Sequence, residues 1–407
     1  MKAYERLIKY AQVHTSSDDG SATVPSTAVQ FDLARLLESE LIALGVDRVF
    51  VDEHAYVYGY IPATAGFEDK PCIGFLAHLD TIPDADFPGF NVKPRVIENY
   101  DGGDIALGDS GRVLSPSAFP HLKKLAGDTL VVTDGATVLG ADDKAGIAEI
   151  MTAAETVLGS DIAHGPIAIC FCPDEEIGHG AALLDLERFG AKYAYTLDGA
   201  AAGEIEYENF NAAAAEVSFA GFNVHPGSAK NTMINASLVA MEFNSMLPSG
   251  DTPRDTEGYE GFFHLTDMSG SVERANLSYI VRDHSATTFE ARKQCLGHAA
   301  DLLNAKYGPG TVTLNIREQY RNMIEVIKPH IEVVDKAMEA TRATGLEPKA
   351  CAIRGGTDGA QLSFRGLPCP NLPTGSFGHH GPYEHAAASQ MDLCVSLVLE
   401  IIKEFAK

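Results

Sequence analysis

Three short apolar runs, each ending at once in ionisable residues, constrain this chain more than any other feature. Residues 72–77 run into His78-Leu79-Asp80, residues 167–172 into Pro173-Asp174-Glu175-Glu176, and residues 193–197 into Asp198-Gly199. A run this short that is apolar almost throughout reads as a strand covered on both faces, as in a parallel sheet flanked by helices. Stretches of helical period stand before, between and after the runs, at about 3–13, 26–44, 147–158, 329–344 and 389–405, so the chain reads as α/β with a largely parallel sheet. Ligands of such sheets bind beyond the carboxyl ends of the strands. His78, Glu175, Glu176 and Asp198 all fall at that edge.

The stretch that joins this pattern is Gly140-Ala141-Asp142-Asp143-Lys144-Ala145-Gly146. Ile147, Ile150, Met151, Ala154, Val157 and Leu158 follow at three- and four-residue steps, so the aspartates are expected in the first turn of an amphipathic helix. There the free backbone N–H groups and the helix dipole favour an ionised carboxylate. Taken alone, two aspartates before a helix are a cap. The metal-binding reading comes from the set: His78 with Asp80 two residues on, the Glu175-Glu176 pair, Asp198, and the adjacent His379 and His380, of which at most one points at a given cation. Carboxylates gathered this densely repel one another, and divalent cations would relieve them.

Residues 212–320 change style. An alternating strand at 215–220, a helix at 235–246, a strand at 276–281, a helix at 288–307 and a strand at 311–316 give a β-α-β-β-α-β-like order. The expected division is a catalytic domain from 1–211 and 321–407 with an inserted α+β domain at 212–320. Residues 83–127, rich in Pro, Gly and Asp, read as a long loop excursion. By themselves His225, before Pro226-Gly227, reads as a turn residue, and Arg282 and Arg354 as structural ion-pair partners or anion clamps.

The 56 acidic residues against 31 basic ones, a net charge of −25, argue against nucleic acid or an anionic membrane as partner. No apolar run approaches the roughly 18 residues of a membrane span, and the N-terminus lacks the apolar core of a signal peptide. Seven scattered cysteines fit no disulfide framework and suit a reducing compartment, so a cytoplasmic protein is expected. Cys170 and Cys172 share a strand face, but no second pair completes a thiolate zinc site.

Residues 139–150, 173–176, 223–230, 258–262, 272–275, 353–364 and 366–372 together resemble the peptidase T family. These are tripeptide aminopeptidases of the co-catalytic dizinc metallopeptidase group, which also holds carboxypeptidase G and several dipeptidases. The resemblance runs along nearly the whole chain. It implies two Zn²⁺ ions bridged by Asp142, with His78 and Asp198 on one and Glu176 and His380 on the other. Glu175 would be the general base and acid, with Asp80 orienting His78. The inserted domain would be a lid whose His225 stabilises the oxyanion and whose Arg282, with Arg354, holds the carboxylate of a short peptide. Aspartate at position 198 accompanies amino-terminal or dipeptide cleavage in this family. A dipeptidase or N-acyl amino acid hydrolase on the same site is the alternative, and relatives that pair through the lid leave a homodimer open.

Overall fold

The computed structural model describes residues 1–83 and 86–407, and the chain divides into two compact units. The first comprises Met1–Tyr207, Met323–Cys351 and Thr357–Lys407; the second comprises Glu208–Asn322 and Ala352–Gly356.

The first unit is built on an eight-stranded mixed sheet whose centre is parallel. Strand Ile73–His78 lies between Ile167–Cys172 and Tyr193–Gly199 and parallel to both, and Tyr193–Gly199 continues in parallel to Asn371–Pro373. Every residue of Ile73–His78 and Ile167–Cys172 is buried, as the continuous apolar runs require. Antiparallel pairs lie outside this centre: Val57–Ile61 beside Ile167–Cys172, Asp47–Val51 beyond it, and Glu204–Asn209 against Asn371–Pro373. The register decides what happens at the carboxyl edge. His78 pairs with Cys172, and Leu76 with Thr196, which brings Asp198 level with His78. The polar residues after all three runs therefore emerge together.

Helices Ala3–Ala11 and Ala388–Ala406 pack on helix Ala141–Leu158, and the last of these packs on strands Ile73–His78 and Tyr193–Gly199. Gly146 makes the approach possible, because a Cβ there would stand 2.2 Å from the Leu197 carbonyl oxygen. No helix among the described residues is long and apolar enough to cross a membrane.

The expected loop excursion at 83–127 is corrected, apart from Asp84 and Ala85, which lie outside the described residues. It contains strands Arg95–Ile97, Ile105–Ala106 and Val113–Leu114 and a 3-10 helix at Pro120–Leu125. Arg95–Ile97 joins Leu130–Val132, His385–Ala387 and Ser376–Phe377 in a small antiparallel sheet over Tyr100, Leu107, Leu114 and Leu122. Strands of two or three residues are too short to leave a period in the sequence.

Beside that sheet His121 and His385 stack, with rings 5.0 Å apart and Nε2 atoms 2.8 Å apart, while His385 Nδ1 lies 2.7 Å from the Tyr383 carbonyl oxygen. A neutral His385 satisfies both contacts by donating from Nδ1 and accepting at Nε2. Burial lowers its pKa to about 4, below the usual 6.5 of an unfolded chain. The unfolded state therefore binds the proton first as pH falls. The stabilisation from a neutral His385 is complete above about pH 6.5 and is lost progressively toward pH 4, by about 3 kcal/mol. Urea unfolding of the parent and of His385→Phe between pH 7 and 4 should show a shallower pH slope in the variant.

In the second unit strands Asn211–Ala220, Phe262–Gly270, Arg274–Asp283 and Val312–Tyr320 form one antiparallel sheet with helices Ala236–Ser245 and Ala286–Tyr307. Ala213, Ala215, Val217 and Phe219 turn inward toward Phe243, Phe289 and Leu296, with Glu216 and Ser218 facing out. Strand Phe262–Gly270 was not placed by its sequence, because only its first two residues are buried and no alternation marks it.

Candidate metal centre

The centre forms where the three strand ends meet the start of helix Ala141–Leu158. Asp142 and Asp143 do not open that helix with helical backbone, contrary to expectation: their φ/ψ values are −81°/103° and −119°/32°, and the peptide between them is cis. The two side chains have separate partners. Asp143 turns inward and accepts the His78 N–H at 3.0 Å and the Gly146 N–H at 3.2 Å, so the cap function falls to Asp143. Asp142 faces the histidines.

Its two oxygens are divided between them. Oδ1 lies 2.9 Å from His78 Nε2, and Oδ2 lies 3.1 Å from His380 Nε2. His78 is also 3.7 Å from Asp198 Oδ1, and His380 is 3.0 Å from Glu176 Oε2. His379 stands farther from Asp142, with Nδ1 3.6 Å away, and its Nε2 lies 2.8 Å from Ser376 Oγ. Two overlapping sets, His78-Glu175-Asp198 and His78-Asp142-Glu176, have donor atoms all within 4.8 Å of one another.

Asp80 serves both sides of this cluster. His78 Nδ1 lies 3.0 Å from the Asp80 backbone carbonyl oxygen and 3.3 Å from the Asp80 carboxylate, which leaves Nε2 facing Asp142, and the carboxylate accepts the N–H groups of Glu175 at 2.9 Å and Glu176 at 3.2 Å. Fully buried, it fixes one imidazole and two carboxylate-bearing residues at once.

Electrostatics oppose this many carboxylates in one buried place. Burial, and next to it Asp198, raises Glu175 well above the usual carboxylate range; burial and Asp142 raise Glu176 to about 7. Burial also raises Asp198 and Asp143. Burial acts on Asp142 in the same direction, but hydrogen bonds from His380 and His78 outweigh it and hold Asp142 well below its ordinary value. Bonds to Asp142 and Glu176 raise His380 to about 11. Imidazole nitrogens and carboxylate oxygens within a few ångströms suit divalent cations, so the residues present fit a metal pair.

One structural role lay beyond sequence reasoning. Glu384, almost fully buried, accepts the backbone N–H groups of Leu139 at 2.7 Å, Gly140 at 2.8 Å and Asp142 at 2.9 Å. Its signal was only a polar residue between Tyr383 and His385, because its partners are backbone groups more than 240 residues away. Charge-assisted bonds of this kind contribute about 1.5–3 kcal/mol each. Glu384→Ala should therefore unfold at lower urea, by about 2–4 kcal/mol, and bind zinc about 10–100-fold more weakly. Urea titration and zinc titration against a competing chelator read the two effects separately.

His225, Arg282 and Arg354 belong to the second unit. His225 is exposed, and its Nδ1 accepts the Gly227 N–H at 3.2 Å. Arg282 donates to the carbonyls of Val281 and Ala213 and stands 5.3 Å over the Tyr320 ring. Arg354 donates to the carbonyls of Gly258 at 2.7 Å and Glu260 at 3.0 Å and to Thr256 Oγ1 at 3.0 Å, over the ring of Phe210.

The family model described as peptidase family M20/M25/M40 matches residues 137–404. Peptidase T of Clostridium perfringens is 51% identical over 407 residues, covering 100% of this chain and 99% of its own length. The chain belongs to this family, in its peptidase T branch. Peptidase T of Halothermothrix orenii is 50% identical over 407 residues, again covering 100% of this chain and 99% of its own length. In fold the chain is similar to the aminopeptidase PepT of Bacillus cereus, with a TM-score of 0.76 at 23% identity, covering 100% of this chain and 98% of that one. It is likewise similar to a tripeptidase of Staphylococcus aureus, with a TM-score of 0.75 at 22% identity and the same coverage. The chain is thus an M20-family peptidase, a metallopeptidase, with candidate metal ligands at its sheet edge.

Proposed function

We propose that this peptidase T-branch member releases the N-terminal residue of tripeptides with two zinc ions. The observation that carries the reading is the division of Asp142 between His78 and His380, with Glu175 beside His78 and Asp198. Asp142, with His78 and Asp198, would hold one ion and, with Glu176 and His380, the other. When bound, the ions polarise the scissile carbonyl and lower the pKa of the attacking water.

The protein's own groups do the rest. Glu175 takes the proton of the attacking water and passes it to the leaving amine. Burial moves its pKa upward, which favours the protonated form that returns the proton. Asp80 keeps the His78 tautomer fixed and holds the Glu175 backbone through the 2.9 Å bond to its N–H. The second unit reads the substrate: His225 stabilises the oxyanion, while Arg282 and Arg354 hold the peptide carboxylate and so limit length. All seven cysteines are free thiols, which suits work in the cytoplasm on short peptides. Pairing of two chains as a homodimer fits the same reading.

Arg354→Ala should raise the tripeptide KM about 10–100-fold, the effect of losing a charged hydrogen bond, with kcat little changed. Steady-state kinetics on Ala-Ala-Ala checks it. The reading as a whole is tested by comparing Ala-Ala, Ala-Ala-Ala, N-acetyl-Ala-Ala-Ala and Ala-Ala-Ala-Ala, with and without chelator. Free alanine released from the N-terminus of the tripeptide, abolished by chelator and restored by zinc, is the expected result. Preferential cleavage of the dipeptide or of the acetylated peptide would replace it with a dipeptidase or an N-acyl amino acid hydrolase.

A further inference from the structure

Two buried polar atoms beside the metal centre lack a partner among the described residues: Asp358 Oδ1 and Thr196 Oγ1. Both residues are buried, at 5% and 3% exposure, and both line one small cavity together with Glu175, Asp198, Asp143 and Cys172. The cavity has about 10 Å³ of room for the centre of a water-sized sphere, which is space for one molecule. Orphaned buried oxygens are costly, and a water with two to four polar neighbours is the usual way they are satisfied.

The surrounding structure aims Asp358 into this space. Thr357 Oγ1, bonded to Asn371, accepts the Gly359 N–H and sets the start of helix Asp358–Phe364. The segment after Glu175-Glu176 then closes on it. The Ala181 N–H donates to the Asp358 carboxylate, and Gly180 leaves no room for a Cβ, which would meet Asp358 Oδ2 at 2.2 Å. Gln361 Nε2 donates to the Gly178 carbonyl at 3.1 Å and Arg365 to the Leu184 carbonyl at 2.7 Å, so the same helix anchors that segment along its length.

We propose that Asp358 and Thr196 hold an internal water that braces the Glu175 carboxylate, making both of them positioning residues for the hydrolysis. The water accepts the Thr196 hydroxyl proton, donates one hydrogen to Asp358 Oδ1 and donates the other to Glu175. This gives both orphaned oxygens a partner and gives Glu175 a fixed contact within the cavity. The assignment rests on the role given to Glu175 above.

The test is a high-resolution crystal structure of the zinc-loaded protein and of Thr196→Val, a change that keeps side-chain shape, together with kinetics on Ala-Ala-Ala. An ordered water within hydrogen-bond distance of Asp358 Oδ1 and Thr196 Oγ1 is expected in the parent and not in Thr196→Val. That variant should keep its zinc and its KM while kcat falls about tenfold, and Thr196→Ser should recover most of the loss. Asp358→Asn, as a second variant, should show the same split. A parent structure without that water, or a Thr196→Val enzyme with parental kcat, would overturn the proposal. A zinc-loaded parent that cleaves no tripeptide would instead overturn the functional reading, while the crystal structure would still decide whether the water is there.

Discussion

Glu175→Gln should bind two zinc ions as the parent does and lose tripeptide turnover by about 10²–10⁴-fold, the usual contribution of a positioned acid-base group. The substitution keeps size and the backbone bond to Asp80, and removes only the capacity to take and return a proton. In the present geometry Glu175 shares a donor set with His78 and Asp198. The variant therefore separates two roles. Unchanged zinc content with lost kcat assigns Glu175 to proton transfer; lost zinc with lost kcat makes it a ligand. Metal analysis of the dialysed protein, beside kcat for Ala-Ala-Ala, reads both.

Asp142→Ala should have the larger effect on the protein itself. It removes the group whose two oxygens stand 2.9 Å from His78 and 3.1 Å from His380, so neither imidazole keeps that partner and no carboxylate is shared. Zinc content should fall below one ion per chain and peptidase activity should become undetectable. In the parent, zinc at 100-fold its dissociation constant should add about 2.7 kcal/mol to stability per site, seen as a rise in Tm that depends on zinc concentration. Asp142→Ala should lose that rise. Loading also displaces protons, because His380, raised to about 11 by Asp142 and Glu176, is protonated near neutral pH and must be neutral to ligate. Calorimetric zinc titrations in buffers of different ionisation enthalpy should report at least one proton released per chain.

Much of this site could be read from the chain because parallel-sheet strands advertise themselves. Residues 72–77, 167–172 and 193–197 are apolar almost throughout because both faces are covered, and whatever follows them must emerge at one edge. His78, Glu175, Glu176 and Asp198 follow from that alone. Asp142 stands beside His78 on a backbone that the apolar spacing does not predict. Apolar spacing after Gly146 locates a helix, yet it carries no information on the φ/ψ values of the two residues before its first regular turn. Glu384 acts through backbone N–H groups, which any sequence presents, so no residue pattern could announce it. Strand Phe262–Gly270 and the short strands between 95 and 114 were hidden for the opposite reasons, one too exposed to alternate and the others too short. Arg354 shows a further limit: a sequence offers a cation, but only the fold reveals that it already serves four acceptors in the 256–260 segment.

The sharing of Asp142 between two cations is decided most directly by anomalous diffraction at the zinc edge from crystals of the zinc-loaded protein. Two peaks about 3.5–4 Å apart, each within bonding distance of a different Asp142 oxygen, one beside His78 and Asp198 and the other beside His380 and Glu176, are the predicted result. A single peak, or two peaks of which only one touches Asp142, would contradict it.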